Sequence, residues 1–194
     1  MLNDILIKTT EQKIVSLFVA NPDKSFYGRE ISKKLKISLG ATSNALRLLK
    51  GKGILIAERK GKTRLYALRL PNPYIEYFRI LNSLLNIEPL IEKLKNISKQ
   101  IILYGSYTSG NYTSDSDVDL FVVSERREEV LKIIEKFTTK RVLNIQPVIK
   151  KQIEWMQLDK KDPEFFNELE SGITLWEKEI NPAFKDCIEK KVQL

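Results

Sequence analysis

The sequence predicts an α+β protein of two modules joined by a helix, the second module built on a small mixed sheet. Three observations predict it. Residues 11–50 carry apolar side chains at helical spacing and are followed by two short strand-like runs around a basic turn. The run Leu70-Pro71-Asn72-Pro73 then breaks the pattern. Past a helical stretch over 74–99, two apolar runs, 101–104 and 118–123, enclose a polar segment rich in small residues.

Composition bounds the chemistry. Of 194 residues, 42 % are hydrophobic and 30 % charged, the balance of a chain that folds around a core. No apolar run approaches membrane-spanning length, and residues 1–10 do not read as a signal peptide, so a cytoplasmic location is expected by default. There is no histidine and a single cysteine, Cys187. Ser-His-Asp triads, Cys-His dyads, His general bases, His-ligated metals, an internal disulfide framework and Cys-based zinc sites are therefore excluded. Catalysis must rest on carboxylates, hydroxyls, Lys, Arg or a metal held by oxygen.

Charge is divided unevenly. Residues 1–70 hold 15 Lys and Arg against 5 Asp and Glu, a net of +10, and the remainder of the chain holds 18 against 20. The whole excess of positive charge sits in the first third, which suggests a module that meets a polyanion.

The elements follow in order. Ile14, Leu17 and Phe18 form one apolar helix face, and Asn21-Pro22 stops the helix. A second short helix fits 27–35, with Ile31 and Leu35 inward. The third starts at Ser38, a good N-cap, and runs to about Lys50 with Leu46 and Leu49 inward; Gly51 and Gly53 end it. Runs 54–58 and 63–70, joined by Arg59-Lys60-Gly61-Lys62, read as a hairpin with a basic tip.

Three helices and a hairpin, with the run from Ser38 to Leu49 and then Gly53-Ile54-Leu55, resemble the recognition helix and wing entry of winged helix-turn-helix proteins. The resemblance covers about residues 9–70 and implies binding to double-stranded DNA. Independently of it, a helix start with small polar side chains fits the major groove, and a Lys/Arg hairpin reaches phosphates. Ser38, Ser43, Asn44 and Arg47 are the base-side candidates; Arg59, Lys60, Lys62 and Arg64 are the backbone or minor-groove candidates. The competing reading is a protein-contact module with solvated lysines.

In the connector, Tyr77, Phe78, Leu81, Leu84 and Leu85 make an apolar stripe that Leu90, Ile91 and Leu94 continue past Pro89. It packs on its own chain or on a second copy in a homodimer. After the strand 101–104 come Gly105-Ser106, ten residues including Gly110, and then Asp117-Val118-Asp119 at the start of the strand 118–123. Two carboxylates at i and i+2 on a strand project from one face and repel each other unless a cation lies between them. Hard oxygen ligands suit Mg²⁺, which completes its shell with phosphate and water. Backbone N–H groups at a Gly-Ser turn, with the Ser hydroxyl, suit a triphosphate.

Gly-Ser, ten residues and Asp-x-Asp resemble the signature of the DNA-polymerase-β-like nucleotidyltransferases, closest to their minimal members, over about residues 100–150. The resemblance implies Gly105 and Ser106 as nucleotide-binding residues and Asp117 and Asp119 as catalytic and Mg²⁺-binding residues. It also implies a third carboxylate on a later strand. The matching strand here, 141–149, offers Asn144 and Gln146, and neither is an acid. Glu154 would substitute only if the chain folds back.

A crossover helix is expected over 125–137, with Val130, Ile133, Ile134 and Phe137 inward. A short helix near 151–156, a helix capped by Asp162-Pro163 with Phe165, Phe166 and Leu169 inward, and a strand over 173–176 complete the reading. The expected divisions are 1–70 (winged helix), 71–99 (helical connector) and 100–194 (nucleotidyltransferase-like domain). The expected function is a DNA-binding protein that uses Mg²⁺ to transfer AMP from ATP to an unknown acceptor, which the resemblance allows to be a protein supplied in trans. The alternative is a transcriptional regulator whose nucleotidyltransferase fold only binds nucleotide or mediates dimerisation.

Overall fold

A computed structural model describes residues 2–139 and 143–178. A short helix α1 (Asn3–Leu6) precedes α2 (Thr10–Val19). Thr9 starts α2 through a capping box: its side chain accepts from the Gln12 amide at 3.2 Å, and the Gln12 side chain accepts from the Thr9 amide at 2.9 Å. The two-residue strand β1 (Phe26–Tyr27) leads into α3 (Gly28–Leu35). Ser38 caps α4 (Leu39–Gly51), its hydroxyl accepting from the Ala41 amide at 3.2 Å. Strands β2 (Leu55–Lys60) and β3 (Thr63–Leu68) form the hairpin, turning through Gly61-Lys62. The sheet has three strands in the order β1-β3-β2, with Phe26 opposite Tyr66 and Arg59 opposite Arg64. The three helices and hairpin of a winged helix are all present, and β1 is an addition to the expected set.

Helix α5 (Pro73–Leu94) follows, with Pro89 inside it. Strand β4 (Gln100–Tyr104) leads to a single helical turn, α6 (Ser106–Ser109), and then to β5 (Val118–Val123), α7 (Arg127–Thr138) and β6 (Ile145–Lys150). Short helices α8 (Gln152–Trp155) and α9 (Leu158–Lys161) precede α10 (Pro163–Glu170) and β7 (Ile173–Glu177). Asp162 caps α10 by accepting from the Phe165 amide at 3.1 Å, with Pro163 in the first turn as expected. The second sheet has the order β6-β5-β4-β7, with β4 antiparallel to both β5 and β7. The fold is α+β. The expectations for Arg141 and for the chain after Asn181-Pro182, including Cys187, lie outside the described residues.

The chain divides into two compact units. The first is Met1–Pro89 with Gly105–Val118, and the second is Leu90–Tyr104 with Asp119–Leu194. The break at 70–73 lies inside the first unit, and α5 is divided at Pro89, where the helix lacks one backbone donor.

In the first unit Ile14, Phe18, Ile31, Leu46 and Leu55 are fully buried in one cluster, and the Phe18 and Phe26 rings meet edge to face at 5.4 Å. Phe78 of α5 packs against the same cluster. Of the expected stripe on α5, Phe78 packs on the core cluster and Leu85, Leu90, Ile91 and Leu94 are buried, but Tyr77 is 76 % exposed and Leu81 lies outside. Three polar residues outside the stripe, Arg79, Asn82 and Ser83, are buried as well.

In the second unit β4 and β5 are buried on both faces. Ile102, Tyr104, Phe121 and Val123 pack with Leu158 and Leu169, joined by Trp155, Phe165 and Phe166. The alternate residues Ile101, Leu103, Leu120 and Val122 are buried as well. Residues hidden on both faces explain why the strands read as unbroken apolar runs. In α7, Val130, Ile134 and Phe137 are buried.

Leu46 is 1 % exposed at the centre of the first unit's core. Leu46→Ala should therefore lower stability by about 2–5 kcal/mol. Urea unfolding followed by a probe in the first unit checks this.

Candidate functional site

On α4 the buried positions are Thr42, Ala45, Leu46 and Leu49. The helical period turns Ser43, Asn44 and Arg47 outward, and all three are exposed. Asn44 and Arg47, with Leu48, Gly51 and Lys52, line an open hollow of about 450 Å³. Ser38 is exposed too, though its hydroxyl is engaged as the helix cap. Arg59, Lys60, Lys62 and Arg64 cluster at the hairpin tip and are exposed. Arg59 donates to the Gly61 carbonyl at 3.2 Å, and Lys60 lies 4.0 Å from Glu58. So α4 and the hairpin tip each present the expected polar or basic side chains to solvent.

Gly105 ends β4 with φ 71° and ψ −154°, a conformation open essentially to glycine alone. The chain turns there into α6. Thr108 closes the turn, its amide and its hydroxyl both donating to the Gly105 carbonyl, at 3.1 and 2.7 Å. Asn111 N–H donates to the Ser106 carbonyl at 3.2 Å. At Gly110 φ is 73°, and a Cβ would lie 2.8 Å from the Glu76 carbonyl oxygen. Asp117 directly precedes β5 and is half-buried.

Residues between Ser106 and Asp117 are tied together and to residues of α5 and the α2–β1 turn. Tyr107 stacks on Tyr112 with ring centroids 4.1 Å apart and planes 3° from parallel. The Tyr107 hydroxyl donates to the Ser116 carbonyl at 3.4 Å. Arg79 places its guanidinium over the Tyr112 ring at 4.6 Å and donates to the Tyr112 carbonyl; the Tyr112 hydroxyl donates back to the Arg79 carbonyl at 3.1 Å. Burial pushes the Tyr112 hydroxyl up to about 12, against the opposing pull of Arg79. Asp23, in the turn after α2, accepts from both the amide and the hydroxyl of Ser114, at 3.0 and 2.8 Å.

In the second unit, antiparallel pairing sets Asp119 opposite Tyr104. Burial pushes the Tyr104 hydroxyl up to about 12, and the charges of Asp119 and then Glu168 add to the effect. The Tyr104 ring meets Phe165 of α10 edge to face at 5.5 Å. No local pattern points to Glu168, since its place is set by α10 packing.

The amides expected where a third acid would stand, Asn144 and Gln146, are both exposed, Asn144 just before β6 and Gln146 within it. Glu154 caps its own helix, accepting from the Lys151 amide at 2.8 Å, and lies 3.9 Å from Lys150. That amide contact holds the Glu154 carboxyl below the usual carboxylate range. Among the described residues no group of three or more Asp, Glu or Cys is placed to hold a metal ion. No helix among them is long and apolar enough to cross a membrane.

Comparison with known proteins places the class. Residues 87–175 match the family model described as Nucleotidyltransferase domain. A stretch of 65 residues is 31 % identical to a Methanocaldococcus jannaschii protein named "Putative protein adenylyltransferase MJ0141". That stretch is 30 % of this chain and 66 % of the relative's length, just under two thirds. Among solved structures, reduced HlyU from Vibrio cholerae is 20 % identical over 41 % of this chain and 79 % of its own, with a TM-score of 0.33. The transcriptional regulator BldR from Sulfolobus solfataricus is 14 % identical over 72 % and 80 %, with a TM-score of 0.35. Neither score reaches the level of a shared overall fold.

Hydrogen bonding from the Ser114 hydroxyl holds the Asp23 carboxyl below the usual carboxylate range. A depressed carboxylate contributes stability above its unfolded pKa and loses it as pH falls through the folded value. The Asp23–Ser114 contact should therefore persist down to pH values where ordinary carboxylates are protonated, then fail. Ser114→Ala should raise the Asp23 pKa toward the usual range, which carboxyl-carbon NMR titration reads directly.

Proposed function

We propose that this chain binds double-stranded DNA through its amino-terminal module and transfers AMP from ATP to a hydroxyl of an acceptor protein. What carries the transfer reading is the nucleotidyltransferase match over 87–175, inside which β4 runs straight into Gly105-Ser106, Asp117 directly precedes β5 and Asp119 is its second residue. A protein acceptor is the activity named for the Methanocaldococcus jannaschii relative.

The donor set suits Mg²⁺. Asp117 and Asp119 are both half-buried and supply hard oxygens. Two protein carboxylates are what an ion that keeps water and phosphate in its shell requires. Asp117 and Asp119 would hold it; when bound it neutralises charge on the triphosphate. Gly105 lets the backbone approach the phosphates closely, and Ser106 offers its amide and hydroxyl as donors. In the transfer, the acceptor oxygen bonds to the α-phosphorus, the bond to the bridging oxygen breaks, and pyrophosphate leaves. With amides at Asn144 and Gln146, no side chain there takes the acceptor's proton, and transfer is expected to be slow.

The same amides favour a second reading, in which the domain binds nucleotide without transferring it and the chain acts as a DNA-binding regulator. Support for DNA binding is the +10 balance of residues 1–70 and the exposed faces of α4 and the hairpin tip.

Titration calorimetry with ATP should show binding that requires Mg²⁺ and is lost in Asp117→Asn/Asp119→Asn. Absence of binding by the wild-type protein at millimolar Mg²⁺ would remove both readings of the domain. Incubation of the wild type with labelled ATP and candidate acceptor proteins separates transfer from mere binding. For DNA, gel shifts across a salt series should give a steep log–log slope. Replacing both Lys60 and Lys62 with Ala should flatten it by about two units if each meets one phosphate. An unchanged slope takes the wing out of the interface. Arg47→Ala should instead erode discrimination between operator and random DNA.

A further inference from the structure

The residues between Ser106 and Asp117 are held by side chains far away in sequence. Arg79 is 5 % exposed and reaches Tyr112 in three ways: through the Tyr112 carbonyl, over its ring, and by its own carbonyl to the Tyr112 hydroxyl. Tyr112 stacks on Tyr107, the neighbour of Ser106. Tyr107 in turn donates to the carbonyl of Ser116, the neighbour of Asp117. Gly110 lies too close to the Glu76 carbonyl to admit any side chain. Asp23 grips Ser114 by two hydrogen bonds. Asp23, Glu76 and Arg79 all lie outside residues 87–175, the stretch that matches the nucleotidyltransferase domain.

We propose that Asp23 is a positioning residue for nucleotide binding: from the amino-terminal side of the chain, alongside the buried Arg79, it holds the segment that carries Ser106 and Asp117 in the shape a nucleoside triphosphate needs. The proposal rests on the nucleotidyl-transfer reading above. Arg79 acts through the Tyr112–Tyr107 stack, and Asp23 through Ser114. Neither touches the nucleotide. A segment of small polar residues would otherwise be ordered only when ligand arrives, and that ordering would be subtracted from affinity. A guanidinium hidden from water needs its polar contacts satisfied, so the segment cannot peel away without stranding it.

The test is Mg–ATP titration of the full chain as wild type, Asp117→Asn, Asp23→Ala and Asp23→Asn. Asp23→Ala should weaken Mg–ATP binding by about two- to fivefold, the scale of an exposed charge-assisted contact. Asp23→Asn keeps an oxygen acceptor and should recover most of that loss. DNA affinity should be the same in both. Ser114→Ala, which removes one of the two donors, should weaken binding less than Asp23→Ala, and amide exchange at Ser114 should be faster in Asp23→Ala before any nucleotide is added. If the wild type binds Mg–ATP, Asp117→Asn abolishes binding and Asp23→Ala leaves it unchanged, this proposal alone is overturned. A loss in Asp23→Ala matched by an equal loss of DNA affinity overturns it too, since general unfolding does that. If the wild type binds no Mg–ATP, the transfer reading falls and this proposal with it.

Discussion

Burying a guanidinium is costly, and the first unit is arranged around one. Arg79 sits on the inward face of α5 beside Asn82 and Ser83, where an apolar side chain would be the ordinary choice. Its cost is met by a carbonyl and an aromatic face, both from Tyr112. Its Nε makes no hydrogen bond, and neither does the Asn82 side-chain nitrogen, although the Asn82 oxygen accepts from Ser16 on α2. The helix thus joins α2 on one side and the segment after Ser106 on the other through polar contacts that work in one geometry only. A hydrogen-bonded guanidinium stacked on a ring is directional, so it fixes the geometry of both partners.

Much of this was legible in the sequence, for reasons that differ along the chain. The caps at Ser38 and Asp162, the helical faces of α2 and α4 and the basic hairpin follow from local chemistry, and the structure has them where the residues put them. The inner strands were legible because both faces are buried. Strand β1 was not, since two residues show no period and its existence depends on β3 being there to pair with. The α5 face was legible only in part. Apolar periodicity found Leu85, Leu90, Ile91 and Leu94 but also pointed to Tyr77 and Leu81, which are exposed, and it missed the buried Arg79, Asn82 and Ser83. Polar residues that are buried because they are paired at long range look like surface in a sequence. Their partners, Tyr112 and Ser16, are far off in the chain.

The candidate site shows the same division. Gly105, Ser106, Asp117 and Asp119 could be named from spacing because a strand end, a turn and a strand start are local events. Asp23 and Glu168 could not, because each reaches its neighbour through folding. Asp23 meets Ser114 across 91 positions, and Glu168 affects Tyr104 through the seating of α10. Glu154, the next acid along the chain after the amides Asn144 and Gln146, is occupied in starting its own helix. Proximity along the chain was a poor guide to which carboxylates attend the strands.

The Arg79 and Asp23 contacts bear on how the protein can be taken apart. A fragment beginning at residue 87 contains every residue of the nucleotidyltransferase match. It discards both side chains that grip the segment from Tyr107 to Ser116, together with the carbonyl against which Gly110 closes. A cut at the proline break after Leu70 keeps Arg79 and loses Asp23. Neither fragment is a smaller version of the same machine, and inactivity in either would say nothing about the intact chain. A cut made for either unit therefore has to be judged by which side chains hold the segment from Tyr107 to Ser116, as well as by the proline-rich break in the sequence.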